Sequence, residues 1–238
     1  MIKNILIVSA AVLIHISFTG ALFSDEIKKY SIEQLQKAGF TSENMSKDAF
    51  LKLRNKVFEI PDYESGQFSI DKMKKIDAKG NKLKGYIATI NGNCTSDPAE
   101  VFILASSDGN EYIVQRFDSL HASLDEILRD IDGDGNFEIL VNEEIAGENT
   151  PRCNSFFWVN IYTWKEGGGF VIDNEKFIKS YYFKEYLNMI SKRIAEAEHL
   201  LNMPEKDPDA SKVKTIALSM LEDCRTALSK LSKLAEKK

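Results

Sequence analysis

Between Phe68 and Ile172 the chain is cut into short apolar runs by turn chemistry, and this punctuation constrains the fold more than any other feature of the sequence. Tyr86–Ile90 ends at Asn91-Gly92, and Val101–Ala105 meets Tyr112–Phe117 across Ser107-Asp108-Gly109-Asn110. Phe157–Trp164 and Phe170–Ile172 flank Glu166-Gly167-Gly168-Gly169. Gly and Asn supply the positive φ that tight hairpin turns need, so these pairs read as antiparallel strands. A parallel α/β layer would need long crossovers between its strands instead. The pattern predicts an antiparallel sheet domain over residues 62–175.

The flanks carry a helical period. Residues 22–61 read as an N-terminal helical arm, in which Ser31 and Gln34 form a capping-box pair and Gly39 a stop. A second helix from Ser46 to Phe58 shows Phe50, Leu53 or Leu51, and Val57 at helical spacing before Pro61. Residues 176–238 read as a C-terminal antiparallel helical hairpin. One stripe is Phe183, Tyr186, Ile190, Ile194, Ala197 and Leu201; the other is Val213, Ala217, Met220, Cys224, Ala227 and Leu231. Pro204 and Pro208 break the chain between them, and Ser211 is placed to cap the second helix. The fold class is therefore α+β, with the hairpin packed on the sheet or on a second copy in a homo-oligomer formed through 176–238.

Lys3, the apolar run Ile5–Phe18 and the small residues Thr19-Gly20-Ala21 predict a signal peptide over 1–21, cleaved after Ala21. Residues 4–24 carry no formal charge, so an uncleaved anchor tethering the protein to a membrane is the alternative. No other stretch is long and apolar enough to span a bilayer. The expected location is periplasmic or extracellular. In such an oxidising compartment Cys94 and Cys153, both in polar turn-like sequence, would form a disulfide. Closing that loop of about 60 residues would add roughly 4 kcal/mol. Cys224, on an apolar helix face, reads as a small buried hydrophobe. A formal net charge of -5 argues against a nucleic-acid partner, which selects for a basic face.

One motif carries chemistry: Asp130-Ile131-Asp132-Gly133-Asp134-Gly135-Asn136-Phe137-Glu138. Carboxylates at loop positions one, three and five turn inward when the backbone coils round an ion. Gly135 permits the bend, Asn136 offers its backbone carbonyl, and Glu138 completes the shell directly or through water. Hard oxygen ligands in this number suit Ca²⁺ better than Mg²⁺ or Zn²⁺. An EF-hand would need a bidentate Glu at position twelve, where this chain has Val141, and Phe137–Val141 reads as a strand rather than a helix.

A loop of this kind running into a strand resembles the FG-GAP/VCBS calcium loops of integrin-type propeller blades, over about residues 100–172. The matching positions are Asp130, Asp132, Asp134, Gly135 and Glu138, followed by Ile139-Leu140-Val141. Val159–Trp164 and Gly168-Gly169-Phe170 resemble the next hairpin of such a blade. A single copy does not imply a whole propeller. The resemblance implies structural Ca²⁺ in an extracellular protein that binds other molecules.

Signals for catalysis are sparse. Beyond the leader only His121 and His199 remain as histidines, and Glu196-x-x-His199 is a lone copy of a motif that dimetal sites use in pairs. There is no nucleophile elbow, phosphate loop or dinucleotide fingerprint. Trp158, Tyr162 and Trp164 share a strand face that reads as core. The expected function is non-enzymatic binding of a protein or cell-envelope component, with Ca²⁺ acting structurally. The alternatives are a carboxylate-dependent hydrolase of envelope or extracellular polymers, or a structural oligomer built on the helical tail.

Overall fold

The computed structural model describes residues 26–41, 45–60, 68–78, 80, 82–92, 98–118, 123–145, 156–203 and 210–237. The proposed leader, Cys94, Cys153 and His121 lie outside the described residues. The chain is α+β with two antiparallel sheets. It runs β1 (Glu26–Ser31), α1 (Ile32–Lys37), α2 (Lys47–Val57), then β2 (Phe68–Asp77), β3 (Lys84–Gly92), β4 (Pro98–Ser106) and β5 (Glu111–Asp118). A short α3 (Leu124–Ile127) leads into β6 (Leu128–Arg129), β7 (Glu138–Ile145), β8 (Phe156–Lys165) and β9 (Gly169–Ile172). A 3₁₀ turn (Asn174–Phe177), a π-helix (Ile178–Tyr186), α4 (Leu187–Leu201) and α5 (Ala210–Glu236) complete it.

The first sheet has the order β1-β5-β4-β3-β2 and the second β6-β7-β8-β9. Hairpin punctuation thus predicted the meanders, but as one sheet rather than two. The pairings Leu104↔Val114 and Trp164↔Phe170 set the two hairpins at the 107–110 and 166–168 turns. Residues 26–31 depart from the expected helical arm. They form a strand on the open edge of β5, with Glu26↔Arg116 and Ser31↔Glu111 as the outer partners. Such a strand is held by backbone hydrogen bonds, so its sequence needs no strong alternation. Both edge strands of this sheet are lysine-rich (Lys28 and Lys29 on β1; Lys72, Lys74 and Lys75 on β2), which discourages pairing with another chain.

The layers stack as helix, sheet, sheet, helix. Tyr86, Ala88, Phe102, Leu104 and Val114 of the first sheet pack against Leu35, Phe50, Leu53 and Val57 of α1 and α2. Those helices start as expected, with a Ser31–Gln34 capping box and Ser46 capping Ala49 N–H. A buried ion pair pins the layer, since Arg54 Nε donates to Glu100 Oε1 at 2.9 Å and its guanidinium lies 4.3 Å from the Phe68 ring centre. The opposite face of the first sheet (Ile87, Val101, Ile103, Phe117) meets Ile139, Val141, Tyr162 and Phe170 of the second. Across this interface the Gln115 amide donates to Phe170 O at 2.8 Å and accepts from Phe170 N–H at 2.9 Å.

The tail covers the remaining face of the second sheet. Leu140, Val159 and Ile161 share a cluster with Phe177, Tyr182, Tyr186, Ile190 and Cys224. Cys224 is a buried free thiol, as its helical position predicted, and burial pushes its pKa up to about 11. Two details of the tail differ from the sequence reading. Phe183 is 47% exposed, while Tyr182 is fully buried. The π-helix is the cause, because Leu187 N–H bonds to Tyr182 O across the wider turn and rotates the stripe off the 3.6-residue period. Ser211 lies inside the first turn of α5, which already includes Ala210, so it is not the cap.

Candidate metal centre

The acidic loop is the connection of the β6–β7 hairpin, with Arg129 paired to Glu138 at its base. Asp130 Oδ1 accepts from Gly133 N–H at 2.8 Å and Oδ2 from Gly135 N–H at 3.1 Å. Asp132 Oδ1 accepts from Asp134 N–H at 3.3 Å, and Asp134 Oδ1 from Asn136 N–H at 2.8 Å. Each aspartate therefore coils the backbone onto itself, the local tendency of Asx residues in turns. Gly133 and Gly135 carry φ of 76° and 82°, the left-handed region where a side chain is strained.

The geometry brings together three of the expected ligands. Oxygen atoms of Asp130, Asp132 and Glu138 lie within 4.8 Å of one another. Asp130 and Asp132 are exposed, whereas Glu138 is only 1% exposed. Burial drives the Glu138 carboxyl up to about 7, with the neighbouring Asp132 charge adding to the rise and the Ile131 N–H, at 2.9 Å from Oε2, opposing it. Asp134 is not part of this trio. Its Oδ2 lies 3.3 Å from Lys176 Nζ, and the Asn136 N–H and that ammonium outweigh partial burial to hold its pKa below the usual value. Asn136 was expected to contribute a backbone carbonyl. Its side-chain Oδ1 is buried without a hydrogen-bond partner.

Two participants had no sequence signal of their own. Gly80, in the β2–β3 turn, donates its N–H to Gly135 O at 3.4 Å. A Cβ there would stand 2.5 Å from Asn136 Oδ1 and 3.2 Å from Asp134 O, so a larger residue would have to push the Asn136 amide aside. Lys176, on the 3₁₀ turn, also places Nζ 2.7 Å from Asp132 Oδ2. The sequence shows the first as an ordinary turn and the second as one lysine among many.

A donor set of two exposed aspartates and one buried glutamate, oxygen throughout, fits a hard cation. Nitrogen and sulfur ligands for a zinc site do not accompany it among the described residues.

The other candidate features take structural places. Tyr162 packs edge-on to Phe117 at 4.8 Å and Trp164 on Phe170 at 5.3 Å between the sheets, whereas Trp158, expected to share their face, joins the tail-side core and stacks on Tyr182 at 5.0 Å; all three are packing residues. His199 is exposed on α4, and Glu196 pairs with Arg193 at 3.4 Å, a solvated helix face. A cleft of about 330 Å³ opens beside Tyr181, Phe157 and Met189 and contains Glu126 and Glu185. Both acids are engaged there. Glu185 holds Arg129 through two bonds of 2.9 Å, and Glu126 accepts from Ser123 N–H at 2.8 Å. No helix among the described residues is long and apolar enough to cross a membrane.

Comparison with protein-family models, with curated proteins and with solved structures finds no match. The resemblance to FG-GAP/VCBS loops therefore rests on the loop residues alone.

Proposed function

We propose that the protein is an exported calcium-binding module in which Ca²⁺ fixes the β6–β7 connection and the folded body binds a protein or cell-envelope component. The observation that carries this reading is the Glu138 carboxylate, buried beside Asp130 and Asp132. Three acids so close repel one another, and burying one as an anion is costly unless a cation accompanies it. Divalent calcium accepts six to eight oxygens in a flexible shell, which suits an Asx-coiled loop with room for water. The role assigned to the ion is structural: it holds the coiled loop whose Gly135 carbonyl accepts from Gly80 N–H, and no nucleophile–base pair stands beside it among the described residues.

Thermal unfolding tests the reading, using protein recovered after export, whose mass should lack residues 1–21. In EDTA and across a CaCl₂ titration the melting temperature should rise with ion concentration. At a hundredfold excess over Kd the rise should be about 5–10 °C. Asp132→Ala should remove it. No shift at millimolar Ca²⁺ would reduce the loop to a plain acidic turn.

A further inference from the structure

Lys176 does not reach the acidic loop by chance of a loose side chain. Its 3₁₀ turn is fixed on the second sheet: Asn174 Oδ1 accepts from Ile161 N–H at 2.7 Å, and its amide donates to Asn160 Oδ1 at 3.1 Å. The adjoining Phe177 is fully buried, and Glu175 pairs with Lys237 of the tail at 3.4 Å. From this anchored turn Nζ sits 2.7 Å from Asp132 Oδ2 and 3.3 Å from Asp134 Oδ2. Asp132 is also one of the three carboxylates that would meet an ion. A calcium ion held at about 2.3–2.6 Å from that carboxylate would stand against the ammonium, and like charges so close repel.

We propose that Lys176 is a tethered competitor cation that sets the affinity and the valence selectivity of the loop; this rests on the calcium reading above. A sodium or potassium ion carries the same charge as the ammonium and gives up hydration to displace it, so it gains little. A divalent ion doubles the attraction to the carboxylates and displaces the lysine. The lysine thus balances the acids when divalent ions are scarce and raises the concentration at which they enter.

Calorimetric titration of the full chain with CaCl₂ tests this, comparing wild type with Lys176→Met, Lys176→Gln and Lys176→Arg. Met and Gln should bind Ca²⁺ about tenfold more tightly, the equivalent of removing a partly exposed two-carboxylate ion pair, and Arg should stay near wild type. In EDTA the Met and Gln variants should melt below wild type, and in saturating Ca²⁺ they should not. Replacing tetramethylammonium chloride by NaCl at equal ionic strength should weaken binding to the Met variant more than to wild type. Wild-type binding with unchanged or weaker binding in both neutral variants would overturn the proposal and leave the calcium reading standing. Equal sodium sensitivity in wild type and the Met variant would overturn the selectivity. Absence of binding in all four chains would remove the calcium reading and the proposal together, whereas binding confined to Met and Gln would support both.

Discussion

Glu138 is the residue at which electrostatics and stability meet. Its carboxyl is raised from an ordinary 4.5 to about 7, chiefly by burial, so the metal-free fold favours the protonated form below about that pH. Its contribution to stability is therefore complete below pH 4.5 and is lost as pH rises through 7, a change of about 3 kcal/mol. In EDTA, Glu138→Gln should match wild type near pH 4.5 and exceed it by roughly that amount at pH 8, measured by denaturant unfolding. In saturating Ca²⁺ the order at pH 8 should reverse, because the variant lacks a ligand. At this scale the sequence was most informative about the loop. Alternate aspartates and two glycines within seven residues are a local signal, and the local hydrogen bonds follow from them. What spacing could not convey is the burial of Glu138, which comes from the strand it begins, or the approach of Gly80 and Lys176 from distant elements.

Elements were legible where their periodicity came from packing and opaque where it came from the backbone. The α2 start at Ser46 and the β4–β5 hairpin follow from caps and turn residues that act within a few positions. The strand β1 is different, since Glu-Ile-Lys-Lys-Tyr-Ser leaves Ile27 exposed and owes its form to the free edge of β5. The π-helix likewise shifts which side chains face inward without changing the overall count of apolar residues. Its tyrosines explain why it is held: the Tyr182 hydroxyl donates to Val159 O at 2.5 Å and the Tyr186 hydroxyl to Phe157 O at 2.7 Å. The two accepting carbonyls lie two residues apart on β8, so the phenols together fasten the helix onto that strand. Tyr186→Phe keeps the ring and removes only the donor, so it should cost about 1 kcal/mol in denaturant unfolding, with an unchanged m-value.

For the whole molecule, the decisive difference from the sequence reading is that two sheets pack face to face, each also covered by helices on its other side. Val-Phe-Ile-Leu-Ala at 101–105 is a continuous apolar run because alternate residues enter two cores, one beneath α1 and α2 and one between the sheets. The second sheet repeats the arrangement, with Ile139 and Val141 turned to the first sheet and Leu140 to the tail. The tail is accordingly part of the core: Tyr186, Ile190, Cys224, Ala227 and Leu231 of its stripes join the sheet's cluster, while Ala197, Ala217 and Met220 pack between α4 and α5. Deleting residues 176–238 would uncover Leu140, Phe156, Trp158, Val159 and Ile161 together and take Lys176 from the loop. The truncated chain should aggregate or bind a hydrophobic dye with a broadened unfolding transition. A tail that served only to join copies would instead leave a soluble monomer with a cooperative, calcium-dependent melt. Sedimentation of the truncated chain beside its thermal unfolding separates the two. The first outcome follows from the layer order, because a sheet between two cores loses one of its supports when either is removed.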